Sequence, residues 1–152
     1  KSRIHNRKKM KQLIDFEGCA LDKHIYPTDI DAMIEYKDSK YLLFEVKYED
    51  SVVPVGQRLA LQRMVDDFTK TGKQAIVIIC THHISNPNEP IIMANCRVRE
   101  IYYGEEQKWR SPDKELTVAE AIDSFQKYSD IQINHSKEVQ NERAKKNIIT
   151  VR

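Results

Sequence analysis

Cysteine is scarce in this chain and scattered. Cys19, Cys80 and Cys96 are odd in number and widely spaced, with no Cys-x-x-Cys pair or Cys/His cluster, which excludes a disulfide framework and a structural zinc site. Cys80 closes one apolar run and Cys96 lies in another, so both read as small buried hydrophobes rather than nucleophiles. Glycine is also sparse, and there is no glycine-rich phosphate loop, no His-Glu-x-x-His pattern, no zinc finger and no ATP motif. No apolar run reaches the roughly 18 residues of a membrane helix, and no secretory leader is present, so a soluble cytoplasmic protein without a membrane partner is expected. Charge of one sign is lacking too: 25 Lys and Arg stand against 23 Asp and Glu, a net +2 that permits a nucleic-acid partner without demanding one. Repeats and low-complexity linkers are absent, so residues 1–152 are expected to form one domain.

What the sequence does contain is a readable order of elements. Lys1 to Lys11 is basic throughout and runs into Met10, Leu13, Ile14 and Phe16, a spacing that predicts an amphipathic helix over about His5 to Asp15. Its basic residues, Arg7, Lys8 and Lys11 among them, either meet phosphates or form a solvated end. Gly18 is a stop for that helix, and Pro27 feeds the chain into extended geometry. Ile30 to Tyr36 and Tyr41 to Tyr48 are β-prone runs joined by a polar break, an antiparallel hairpin with no Asn-Gly or Asp-Gly to fix its turn.

Gly56 to Lys70 follows as a helix with Leu59, Met64, Val65 and Phe68 inward and Gly72 as its stop, and then Gln74 to Thr81 as a strand buried on both faces. A helix before such a strand is a crossover, which predicts an α/β layer arrangement. Ile91 to Met93 and Val98 to Tyr103 read as marginal strands, Gly104 to Asp113 as a loop, and Leu116 to Tyr128 as a helix capped by Thr117 with Glu120. From about 129 the periodicity weakens into a tail, with Lys137 to Lys146 as a solvated helix and Ile148 to Arg152 as a short strand or arm.

Within the hairpin three groups depart from what a packed core requires. Glu45 and Lys47 are two apart in a strand and share a face, although Leu42 to Val46 otherwise reads as core. Unpaired charge there is costly. Asp31 opens the partner strand between Ile30 and Ala32, and hairpin pairing brings it opposite Glu45 to Lys47. Carboxylate oxygens suit Mg²⁺, which polarises a phosphate and lowers the pKa of a bound water. On this reading Asp31 and Glu45 hold Mg²⁺, with Mn²⁺ as a substitute, the Val46 carbonyl completes the protein ligands, and Lys47 orients water or compensates charge. The plainer alternative is a strand-face ion pair beside a strand-entry acid.

Asp31 followed by Glu45-Val46-Lys47, on a hairpin that precedes a helix and a buried strand, resembles the PD-(D/E)xK nuclease superfamily over about Met10 to Thr81. The resemblance implies a restriction-endonuclease-like α/β fold, a mixed central sheet flanked by helices with core order α-β-β-β-α-β. It also implies a metal-dependent deoxyribonuclease of a small phage or mobile-element type, whose partner is DNA; a homodimer would suit cutting of both strands, and work inside a larger nucleic-acid-processing assembly is equally open. The family's proline-aspartate element is loosened here, since Pro27 stands four residues ahead of Asp31, and Asp29 is a rival ligand. By the same resemblance Glu17 matches a helix glutamate and Gln57 a glutamine early in the following helix. The tyrosine that some exonuclease members carry four residues after that glutamine is replaced by Leu61. Tyr48 and Arg58 are further candidates for DNA contact. The alternative is a nuclease-like module without catalysis that binds nucleic acid or protein.

Overall fold

A computed structural model describes residues 12–150, apart from the side chains of residues 131–136 and 148–150. It is an α/β fold: a five-stranded mixed sheet with a helix on each face. The elements are β1 (Ala32–Tyr36), β2 (Lys40–Tyr48), α1 (Val55–Lys70), β3 (Gln74–His82), β4 (Arg97–Tyr103), β5 (Lys108–Arg110) and α2 (Val118–Thr150). The sheet order is β1-β2-β3-β4-β5, with β2 and β3 parallel and every other pair antiparallel.

The expected helix over His5 to Asp15 lies mostly outside the described residues; its described end, from Gln12 to Phe16, is not helical. Among the described residues two strands, not three, precede α1. The stretch before the hairpin folds only into one isolated bridge, Leu21 to Ile25.

The hairpin turn places Lys37 and Asp38 in the left-handed region, at φ 46° and 55°. Neither residue favours this conformation as glycine would, and Lys73 compensates by pairing with the Asp38 carboxylate and donating to its carbonyl at 2.6 Å. β3 is buried from Ala75 through Cys80, as a central strand covered on both faces must be. On one face α1 packs Leu61 and Val65 on Leu43, Val77 and Tyr102. On the other, α2 packs Val118 and Ala121 on Leu42, Phe44, Ile78 and Cys80. Leu59, expected inside, is exposed, and Leu61 takes the buried position.

Three local expectations change. Ile91 and Ile92 are loop, and Met93–Asn95 forms a 3-10 turn where a strand was expected. Lys108–Arg110, expected as loop, is edge strand β5: Trp109 donates to Gln62 at 3.0 Å and lies 5.2 Å from the Tyr102 ring, so β5 is held by α1 rather than by its own length. After 129 there is no break: α2 runs on to Thr150, taking in the expected exposed helix over Lys137 to Lys146 and replacing the described part of the expected strand or arm from Ile148. The cap at Thr117 is as expected: its hydroxyl accepts from the Glu120 N–H at 3.2 Å, and the Glu120 carboxylate accepts from the Thr117 N–H at 3.1 Å. Among the described residues no helix is long and apolar enough to cross a membrane.

At Gly104 α1 approaches the sheet closely. A Cβ there would stand 2.1 Å from Thr69 Oγ1, 2.8 Å from Val65 Cγ1 and 3.1 Å from the Ala75 carbonyl. Gly104→Ala is therefore expected to destabilise the chain by about 1–3 kcal/mol through overpacking. Urea unfolding measures the change; a midpoint equal to wild type would contradict this packing.

Candidate active site

β1 begins at Ala32, opposite Phe44, so β2 outruns its partner from Glu45 to Tyr48. The backbone groups of β2 that face this overhang have no strand to meet. Asp31, one residue before β1, fills the gap: its Oδ2 accepts the Val46 N–H at 2.7 Å. In extended backbone the N–H and C=O of one residue point to the same edge. The Val46 carbonyl is therefore directed to the side on which Asp31 lies.

Glu45 points the other way from Val46, to the α1 face that also receives Leu43. It is only 2% exposed. Both carboxylate oxygens are engaged: Oε1 pairs with Lys47 Nζ at 2.7 Å, and Oε2 accepts from Gln57 Nε2 at 2.9 Å. Gln57 Nε2 reaches the Asp29 carbonyl as well, at 3.2 Å. Gln57 thus ties together the segment before β1, the buried acid of β2 and the first turn of α1.

That first turn is held in place by the loop before it. Thr81 Oγ1 donates to the Glu49 carbonyl at 2.6 Å, the Glu49 N–H donates to the His82 carbonyl at 2.8 Å, and the Arg99 guanidinium caps the carbonyls of Glu49 and Ser51. Val53 is buried beneath. α1 then starts after Pro54 with no side-chain cap and no acid in its first turn. Its first amides, before Arg58 donates to Pro54, lack intrahelical acceptors and carry the positive end of the helix dipole. β2, α1 and β3 form a parallel crossover, so this helix start sits at the carboxyl ends of both strands, where open α/β sheets bind ligands.

Burial is the largest influence on Glu45 and raises its carboxyl above the usual carboxylate range. The hydrogen bond from Lys47 opposes this, the negative charge of Asp31 adds to it, and Gln57 opposes it. Asp31, Glu45, Lys47 and Gln57 are therefore one electrostatic unit. Of the two rival aspartates, Asp31 presents its carboxylate to this unit, whereas Asp29 presents its main-chain carbonyl.

The other candidates fare differently. Glu17 sits in an exposed turn, makes its hydrogen bonds to Asp15 and Cys19, and is not brought to Glu45. Arg58 is not free for phosphate: it forms a two-point pair with Glu100 at 2.7 and 3.0 Å and lies 4.0 Å over the Trp109 ring. Tyr48 is exposed at the end of β2, 5.4 Å from the His82 ring, a partner whose sequence position alone carries no signal. Arg7, Lys8 and Lys11 lie outside the described residues. Cys80 is buried, its thiol pushed up to about 12 by desolvation first, and is no nucleophile.

Among the described residues no three His, Cys, Asp or Glu side chains converge on a common metal position. The donors at hand are two carboxylates and a main-chain carbonyl. Such an all-oxygen set fits Mg²⁺, which retains several waters, and does not fit the nitrogen and sulfur preference of zinc. Comparison of the chain with protein-family models, curated proteins and solved structures gives no match.

Because the native chain holds the Glu45 proton more tightly than the unfolded chain, this residue lowers stability as pH rises from the ordinary carboxylate value through its raised value. Its destabilisation is complete above the raised value and vanishes below the ordinary one. Glu45→Gln keeps the acceptor for Lys47 and removes the buried charge. It is expected to abolish this segment of the stability profile and to raise Tm at neutral pH, as removal of a functional buried charge does. Thermal unfolding between pH 4 and 8, without divalent metal, provides the comparison; equal slopes for the two proteins would contradict the assignment.

Proposed function

We propose that this chain is a Mg²⁺-dependent nuclease of the restriction-endonuclease-like type that hydrolyses phosphodiester bonds of DNA. The observation that carries the reading is Glu45: a carboxylate 2% exposed in an otherwise apolar strand, facing the start of α1 with Lys47, Gln57 and Asp31 around it. A charge in such a place costs several kcal/mol unless paired, by general estimates of about that order. Stability alone would favour a hydrophobic side chain there.

Asp31, Glu45 and the Val46 carbonyl would hold the ion, which when bound would polarise a phosphate and lower the pKa of a water. Lys47 places an ammonium beside the carboxylate and balances charge that grows on the phosphate oxygens. Gln57 is a positioning residue, fixing Glu45 Oε2 and the Asp29 carbonyl. The uncapped amides of α1 give the anionic phosphate its second set of donors. DNA fits this site by its phosphate charge, not by base sequence, since the site offers no base-edge code.

The test is Mg²⁺-dependent cleavage of plasmid and branched DNA. Asp31→Asn, Glu45→Gln and Lys47→Ala are each expected to lower the rate by about 10² to 10⁴-fold, with circular dichroism unchanged. Gln57→Ala is expected to lose less. Mg²⁺ at 100 times its Kd should also raise stability by about 2.7 kcal/mol in the wild type, and not in Asp31→Asn. Metal-independent cleavage, or rates unchanged in all three variants, would overturn this site and mechanism, and no cleavage by the wild type would leave a non-catalytic binding module.

A further inference from the structure

At the carboxyl end of β3, beside the start of α2, lies a cleft of about 710 Å³, bounded by His82, the Ile91–Ile92 loop and Asn95. We propose that this cleft and Tyr48 take up the unpaired base of a nucleotide flanking the bond to be cut, so that the substrate class is single-stranded or frayed DNA. The inference rests on the nuclease reading and extends it from the phosphate to the base.

Four observations carry it. The cleft has the size of a small-molecule site. One part of its wall is apolar and open, with Ile91 45% and Ile92 61% exposed, and Tyr48, 41% exposed, adjoins it through the His82 ring. The Tyr48 and His82 rings, neighbours in the β2–β3 register, lie 5.4 Å apart and tilted by 55°, which leaves ring surface on which a base can stack. His82 Nδ1 accepts the Ile84 N–H at 3.1 Å, which makes Nε2–H the ring's donor, suited to an acceptor on a base edge.

Charge decides which part of the nucleotide enters. Glu89, Glu115 and Glu120 line the cleft against Arg97, and Arg97 already stands near Glu115 at 3.9 Å. A phosphate is disfavoured there and a neutral base is not. The phosphate belongs instead at Lys47 and the α1 amides, and Tyr48 directly follows Lys47 in β2. One strand can therefore set its phosphate on one side of the sheet end and its base on the other. A base inside an intact duplex has its faces stacked and cannot make this contact without being unstacked.

The experiment is equilibrium binding of fluorescein-labelled oligonucleotides to the full chain in EDTA, read by anisotropy. The same sequence is presented as a single strand, as a duplex and as a single strand of abasic sites. The ordinary single strand is expected to bind tighter than both others. Tyr48→Ala should weaken it on the order of tenfold, His82→Ala should weaken it too, Tyr48→Phe should retain affinity, and none should alter duplex binding. Equal affinity for abasic and ordinary strands overturns the proposal, and this comparison needs no variant. So does wild-type single-strand binding by folded Tyr48→Ala and His82→Ala. Cleavage with Mg²⁺ is measured separately: base-dependent binding without any cleavage keeps the base cleft and removes the nuclease reading, whereas equal cleavage of duplex and single strand without base-dependent binding does the reverse.

Discussion

The arrangement of this molecule turns on one buried carboxylate. Glu45 stands where the pattern of β2 calls for a core side chain, and burial raises its pKa despite an ammonium at 2.7 Å and an amide at 2.9 Å. Those two partners keep the charge tolerable, but they come from different elements. Lys47 is fixed by the two-residue period of the strand; Gln57 depends on where α1 begins. The loop from Glu49 to Pro54 therefore has to be placed with care, and Arg99, Thr81 and Val53 place it. A sheet residue two strands away from β2 thus fixes the position of the helix start that faces Glu45.

Strand length supplies the second constraint. Had β1 extended one or two residues further toward its start, the Val46 N–H and C=O would have been consumed by a strand partner. Because β1 starts at Ala32, the edge of β2 is open there, and the Asp31 carboxylate takes the N–H instead. The parallel crossover does the rest: β2 and β3 end side by side, with Tyr48 against His82, and the start of α1 faces the same end.

Much of this was readable from the residues. Alternation put Glu45 and Lys47 on one face, since side chains two apart in a regular strand share it, and pairing about the polar break put Asp31 near them. The helix start at Gly56 and Gln57 and the cap at Thr117 followed from local chemistry. What could not be read depends on partners distant in the chain. Trp109 makes β5 a strand by reaching Gln62, 47 residues away, and Arg58 loses its role toward phosphate to Glu100, 42 residues away. Leu59 and Leu61 differ in burial because the angle at which α1 lies on the sheet decides which of them faces Val77. The choice between Asp29 and Asp31 likewise needed three dimensions, since each lies within reach of β2 and only their contacts separate them.

The distribution of charge separates structure from site. Elsewhere among the described residues, ion pairs with a buried or half-buried member join one acid to one base: Lys40 with Asp130, Arg58 with Glu100, Lys73 with Asp38. The second charge that Glu100 meets is Arg99, a cation, which adds to the effect of Arg58 in lowering its carboxyl. At Glu45 the balance is different, because Asp31 repels the same carboxylate that Lys47 attracts. The carboxylate that Lys47 pairs with also meets a second acid, next to the positive end of a helix, and on the proposed reading a cation would lower the energy there. On the same reading a cation held there would add to the pull that Lys47 and the α1 amides exert on a phosphate, so metal and anion would each favour the other's binding.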